Sequence, residues 1–192
     1  MNPNPIERFQ AELLLSKTEE PFDATATALA TADASGRPSV RYVLLKEVEE
    51  RGFVFFTNEE SRKGSDLNAN PRAALAFFWP KRYVQVRVEG SIAKLPAHES
   101  DAYFRTRPRD SQIGAWASQQ SRLLSSRDAL DQAVEDYRVR FGSDDIPRPA
   151  YWGGYCLKPE RIEFWNGRPN RLHDREVYLF DGGSWRVERL YP

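Results

Sequence analysis

The chain has 192 residues, 40% of them hydrophobic and 29% charged, a size and balance that fit one globular domain and exclude a disordered chain. Its 28 Lys and Arg are matched by 28 Asp and Glu, which excludes a general nucleic-acid binder, since such a protein needs a broad cationic surface. The neutrality hides a bias: the basic residues are 22 Arg and only 6 Lys, and Arg is the side chain suited to fixed two-point grips on phosphate and carboxylate. Ile6, Phe9, Leu13 and Leu14 recur at helical spacing and predict a leading helix over residues 4–18, ended by Pro21-Phe22. Strands are then expected over 25–31, 40–48 and 53–57, joined by turns at 34–38 and 49–52 too short for a crossover helix, and so as an antiparallel meander.

A polar helix is expected over 61–69, stopped by Asn70-Pro71, followed by strands at 72–79 and 83–95. Val84, Val86 and Val88 alternate with Gln85, Arg87 and Glu89, the period-2 pattern of a strand with one wet or ligand-facing side. Helices follow at 99–105, 112–119 and 126–141, the last with Ser126 or Ser125 as N-cap and Gly142 beyond its end. Pro147, Pro149, Gly153 and Gly154 mark a loop, and three strands at 155–165, 176–180 and 185–190 close the chain. Short strands closing on themselves with helices at the edges predict a small barrel. The longest apolar run, Ala73–Trp79, has seven residues, against about 20 for a membrane helix. No signal peptide is visible, and one cysteine with two separated histidines excludes an internal disulfide and a zinc site of familiar spacing. A cytoplasmic protein without a structural metal is expected.

Four constellations carry candidate chemistry. Arg41 and Lys46 sit five residues apart and on one strand would point to opposite faces. Thr57 to Lys63 joins a strand to a helix and gathers hydroxyls, free N–H groups and the cations Arg62 and Lys63, a physical recipe for holding a phosphate. Arg105, Arg107 and Arg109 lie beside Tyr103 and Ser111, a second candidate phosphate grip, with the amide of Gln120 beside Ser121 suited to a planar heterocycle. Arg171, His173 and Arg175 alternate and, if extended, share one face that calls for an anionic or electron-rich partner. Two phosphate grips with planar-ring partners imply two phosphorylated ring molecules. There is no Gly-x-Gly-x-x-Gly, Walker-type loop or serine nucleophile elbow.

Arg41-Tyr-Val-Leu-Leu-Lys46, Phe56-Thr57-Asn58 with Ser61-Arg62-Lys63, Arg107 to Trp116, Glu163-Phe-Trp165 with Arg171-Leu-His-Asp-Arg175, and the closing Arg189-Leu-Tyr-Pro192 resemble the pyridoxamine 5′-phosphate oxidase family. The resemblance runs from about Ala28 to the C-terminus. It implies an α+β, mainly antiparallel FMN-binding split β-barrel with peripheral helices, in a single domain over 1–192 with 1–22 as leading helix and arm. It also implies a homodimer with FMN at the interface. On this resemblance FMN is held by Arg41, Tyr42, Val43, Leu44, Leu45, Lys46, Phe56, Thr57, Arg62, Lys63 and Gln85, completed by Gln120, Ser121, Trp165 and Arg175. The substrate phosphate is held by Lys46, Tyr103, Arg107 and Ser111, with Arg171, Leu172 and His173 against the pyridine ring and Arg171 and His173 catalytic. The implied reaction oxidises pyridoxamine or pyridoxine 5′-phosphate to pyridoxal 5′-phosphate, with hydride transfer to flavin and reoxidation by O₂ to give H₂O₂. Val84 and Asn166 stand where the family usually has Arg and Gln, and the leader is short. A sister family in phenazine biosynthesis generally loses the Lys46-type and Arg107-type grips, both present here. The other readings are a split-barrel flavin oxidase or reductase on another planar substrate, or a non-catalytic flavin or pyridoxal-phosphate binding protein.

Overall fold

The sheet is built from β1 (Ala26–Ala32), β2 (Pro38–Leu44), β3 (Glu47–Glu49), β4 (Gly52–Asn58), β5 (Arg72–Trp79), β6 (Val84–Lys94), β7 (Trp152–Asn166), β8 (Asp174–Phe180) and β9 (Trp185–Leu190). Burial alternates along β1, β2 and β6 and is near-continuous in β4. The computed structural model describes residues 4–192, so the first three residues of the expected arm lie outside it. The pairings are antiparallel and run in the order β2-β1-β5-β6-β7-β4-β3, with β8 beside β7 and β9 beside β8. Strand β7 is the branch point. Its residues 152–157 pair with β4 and its residues 161–166 pair with β8.

The two ends of that seven-strand path, β2 and β3, are joined only by Leu45 and Lys46. Seven strands at about 4.8 Å spacing would span roughly 29 Å if flat, whereas this link reaches only about 10 Å. The sheet therefore curls until its edges meet. The link is bonded to both sides: Leu45 N–H donates to the Thr25 carbonyl at 2.9 Å, and Lys46 N–H to the Val54 carbonyl at 2.8 Å. Leu45 is buried in the core and Lys46 faces out.

The curl encloses Leu29, Phe53, Phe55, Leu75, Phe77, Val86, Val88, Ile162 and Phe164. Helix α1 (Pro5–Glu19) stoppers it, starting where Asn4 Oδ1 accepts the Ile6 N–H and Pro5 presets the first turn. It buries Ile6, Phe9 and Leu13, and the Phe9 ring meets Phe53 and Phe77 edge-on at 4.8 and 4.9 Å. Helices α2 (Arg62–Ala69), α3 (Ala97–Thr106), α4 (Arg109–Ala117) and α5 (Arg127–Phe141) lie outside the sheet. Phe104, Ile113, Phe141, Ile146 and Trp152 form a second, smaller core beneath α3 to α5. Helix α5 is capped as its sequence predicts, by Ser126 Oγ on the Ala129 N–H and by Gly142 at a φ of 45°.

Several expectations need correction. The strand expected over 40–48 is two, broken where Leu45 and Lys46 turn the corner, so the opposite-faces argument for Arg41 and Lys46 fails. The first three strands are two hairpins on opposite edges of the path and not a meander. Tyr83 lies before β6 at a φ of 53°, and β7 begins three residues early at Trp152, inside the expected loop. Arg171 also has a positive φ, 62°, in a 3₁₀ turn over Pro169–Arg171, so Arg171, His173 and Arg175 do not form one extended face.

Phe9→Ala removes a fully buried ring from the stopper. We expect a loss of about 3–5 kcal/mol in urea unfolding; a loss under about 1 kcal/mol would show that α1 is not part of the core.

Candidate functional site

The β4–α2 junction places the first cations. Ser61 starts α2 but does not cap it with its side chain; its Oγ donates to the Asn58 carbonyl at 2.6 Å. Gly64 follows because a Cβ there would lie 2.0 Å from the Glu59 carbonyl oxygen. Lys63 is 7% exposed, and its Nζ donates to Thr57 Oγ1, Ser61 Oγ and Gln120 Oε1 at 3.0, 3.0 and 2.9 Å. All three partners are neutral. Burial, with a contribution from nearby Arg41, pushes the Lys63 ammonium down to about 8.

Helices α3 and α4 supply the facing wall. Pro108 ends α3, and the buried Gln112 amide donates to the carbonyls of Phe104, Arg105 and Arg107, fixing the bend. Arg107 is thereby turned in, its Cζ 4.9 Å from the Trp152 ring centroid. Its Nη1 is buried with no hydrogen-bond partner, and desolvation lowers its basicity. The Phe56, Tyr103 and Trp152 rings lie within 12° of parallel, Phe56 centred 4.0 Å from Tyr103 and 5.3 Å from Trp152.

These groups line one cavity of about 430 Å³. It brings together Tyr42, Val43, Leu44, Lys46, Phe56, Thr57, Lys63, Tyr103, Arg107, Ser111 and Gln120 of the predicted set, with Thr106, Pro108 and Trp152 added. Three cations line it and no carboxylate does. A desolvated guanidinium with an unused donor and a buried ammonium on neutral partners leave positive charge that an anion satisfies. Phosphate, with several acceptor oxygens, fits this donor set.

Other predicted residues lie elsewhere. His173 and Arg175 line a second cavity of about 660 Å³ with Tyr83, Asn166, Gly167 and Arg189. Trp165 sits beside it, its ring 4.4 Å from that of His173 and 5.2 Å from that of Tyr83. Gly167 is required here, since a Cβ would lie 1.7 Å from the Tyr83 ring. His173 Nδ1 accepts the Arg168 N–H at 3.1 Å, which leaves Nε2 as the outward nitrogen. Arg171 and Leu172 are exposed next to this cluster, and Gln85 pairs with Trp165 across β6 and β7. Arg41 is not free: it donates to Thr31 Oγ1 and Ser39 Oγ, both at 2.7 Å, and lies 3.6 Å from Asp66 on α2. Leu45 belongs to the core, while Arg62 and Ser121 are exposed outside both cavities. Of the arginine triplet, only Arg107 enters the cavity. Arg109 binds the carbonyls at the end of α5, and Arg105 lines a different cavity.

Trp152 stands at the start of β7 and Trp165 thirteen residues on, about 40 Å along the strand. One copy of the chain therefore leaves the cationic cavity and the Trp165–His173 cluster apart. Sequence reasoning missed Asp66, Trp152 and Tyr83. Trp152 was hidden by the glycines and prolines around it, and the other two carry no local signal.

The curled antiparallel sheet, stoppered by a helix and bearing an aromatic-walled anion cavity, defines a split-barrel protein. Residues 17–141 match the model of the family described as pyridoxamine 5′-phosphate oxidase, and residues 152–192 match that of the pyridoxine 5′-phosphate oxidase C-terminal dimerisation region. The chain belongs to the pyridoxamine 5′-phosphate oxidase family, whose members are FMN-dependent oxidoreductases. It is 57% identical over 190 residues to a pyridoxine/pyridoxamine 5′-phosphate oxidase of Anaeromyxobacter dehalogenans, covering 99% of this chain and 96% of that one. It is 54% identical over 194 residues to one of Cupriavidus taiwanensis, covering 99% and 90%. Among solved structures it is similar to PhzG from Burkholderia lata 383 in complex with tetrahydrophenazine-1-carboxylic acid, with a TM-score of 0.94 and 30% identity over 100% and 95% of the two chains. A pyridoxamine 5′-phosphate oxidase-related, FMN-binding protein of Nostoc punctiforme shares the fold, with a TM-score of 0.78 and 19% identity over all of both chains. Among the described residues no helix is long and apolar enough to cross a membrane, and no cluster of His, Cys, Asp and Glu could hold a metal.

The depressed Lys63 pKa gives a signed pH dependence. Without ligand the side chain loses its charge as pH rises through about 8, and an anion favours the charged form. Sulfate keeps a constant charge over this range, so its affinity should fall several-fold between pH 7.5 and 9 with proton uptake on binding, as read by calorimetry. Lys63→Met should abolish the pH dependence; an unchanged slope in that variant would remove Lys63 from the anion site.

Proposed function

We propose that this chain oxidises pyridoxamine or pyridoxine 5′-phosphate to pyridoxal 5′-phosphate with FMN, within vitamin B6 metabolism. The observation that carries this reading is the buried Arg107 Nη1 without a partner, in a cavity with Lys46 and Lys63 and no carboxylate. The residues fit two phosphorylated rings. Lys63, Thr57 and Gln120 already form one polar cluster for the cofactor, joined by the β2 edge. Lys46, Tyr103, Arg107 and Ser111 face the same space for the substrate phosphate. FMN held there would supply a two-electron acceptor for the hydride from the substrate's C4′ carbon, with O₂ as the final oxidant and H₂O₂ as its product.

The chain's own work is orientation and charge. Lys46 and Arg107 fix the substrate phosphate, and the Phe56–Tyr103–Trp152 rings exclude water beside it. Arg171, held at a positive φ next to His173, offers its cation to charge developing on the pyridine ring. His173, with Nδ1 committed to the Arg168 N–H, presents Nε2 as its ligand-facing atom. Because the two clusters stand at opposite ends of β7, we assign the complete site to a homodimer, each cationic cavity closed by the Trp165–His173 cluster of a second copy around FMN. The match of residues 152–192 to a dimerisation region supports this assembly. A single thiol, Cys156, buried and unpaired, suits a reducing cytoplasm.

The purified protein should bind FMN and consume O₂ with pyridoxamine 5′-phosphate; bound FMN without turnover would sink the substrate assignment. Arg107→Ala should raise KM for the phosphorylated substrate by roughly tenfold or more, through loss of a charged hydrogen bond. Arg171→Ala should lower kcat by roughly a hundredfold with FMN affinity little changed. Near-normal kcat in that variant would remove Arg171 from the chemistry.

A further inference from the structure

Glu163 on β7 lines neither cavity, yet it is 2% exposed and ionised. Burial alone would raise its carboxyl pKa, but hydrogen bonds from Arg175 and Arg161 outweigh this and hold it below the usual carboxylate range. Arg175 Nε and Nη2 converge on its Oε1 at 2.8 and 2.7 Å; Arg161 Nη2 meets its Oε2 at 2.8 Å, and Arg87 Nη1 lies 3.7 Å from Oε2.

The three arginines are not equivalent. Arg87 and Arg161 also reach a second carboxylate, Glu89, at 2.6 and 3.0 Å. Arg175 has Glu163 as its carboxylate, and its Nη1 donates to the Tyr191 carbonyl at 3.0 Å. Strand register sets Arg175 directly across from Trp165, and it lines the His173 cavity. Three of its five N–H donors are thus committed to a buried carboxylate and the last strand's exit, leaving two with a set direction.

We propose that Glu163, seconded by the Tyr191 carbonyl, is a positioning residue that fixes the Arg175 guanidinium for the flavin; this rests on the FMN reading above. Loss of Glu163 leaves Arg87 and Arg161 paired through Glu89 but frees Arg175. The effect is therefore selective, where a merely structural ion cluster would spread it over every member. The Tyr191 carbonyl shares the task by accepting from Nη1.

The test compares Glu163→Gln with Glu89→Gln, which removes the same charge from the same cluster without touching Arg175. Glu163→Gln should weaken FMN binding by roughly ten- to a hundredfold, Glu89→Gln by less than about twofold, and deletion of Tyr191 and Pro192 by several-fold. Arg175→Lys should weaken binding to a similar degree as Glu163→Gln, and the double variant should be no worse than either. A readout independent of FMN is the Arg175 Nε–H signal in NMR of the FMN-free protein, slowly exchanging in the wild type and in Glu89→Gln and lost in Glu163→Gln. Equal losses in both glutamate variants, or a Glu163→Gln protein that keeps the signal, would overturn the proposal. A wild-type protein that fails to bind FMN would instead sink the cofactor reading, and the Nε–H signal would still decide the positioning role.

Discussion

Two residues set the shape of the molecule. Leu45 and Lys46 join the strands at opposite edges of a seven-strand path, and a link that short leaves the sheet no choice but to curl. The curl makes the interior that Phe9 fills, and it carries the β2 edge round to face the end of β4. Lys46 sits on the corner itself, at the rim of the cationic cavity, with Lys63 reached through the β4–α2 junction. The constraint that closes the barrel also places the first ligand-facing cation.

Charge inside this nearly neutral chain is distributed by partner. Arg41, Arg82, Arg161 and Arg175 are each tied to carboxylates, and they join elements: Arg41 holds α2 to β1 and β2, and Arg82 holds α1 to the turn before β6. Lys63, buried, and Arg107, half-buried with its Nη1 enclosed, are different, set among neutral groups and rings. Buried charge without a counterion is costly for a protein to keep, and here it coincides with the cavity, which is why function is read from that place and not from the arginine count.

Much of this was legible in the chain. The period-2 alternation of Val84 to Glu89 gave β6 its faces, and Ser126 with Gly142 bounded α5 because capping is local chemistry. Thr57, Lys63, Arg107 and Ser111 were found because their residue types and junctions suit phosphate. Long-range geometry was not legible. The period of residues 40–48 runs unbroken through the corner at Leu45, and nothing local says that Arg41 will be spent on Asp66 across the sheet. The left-handed φ of Arg171 broke an alternation that looked extended, since a turn imposed by Pro169 and the close packing of Gly167 on Tyr83 overrode it. Trp152, a wall of the cavity, lay unseen in a stretch whose glycines read as loop.

Strand β7 carries both clusters of the proposed site and keeps them apart: Trp152 at one end walls the anion cavity, and Trp165 at the other packs on His173. A complete site requires the two clusters to meet between two copies. The direct measurement mixes Arg107→Ala chains with Arg171→Ala chains, exchanges subunits, and assays oxidation of pyridoxamine 5′-phosphate well below the wild-type KM, where both parent variants are slow. Random pairing places one native site in half of the dimers, so activity should recover to about a quarter of wild type. Recovery no greater than the average of the two parent variants would contradict a site shared between subunits.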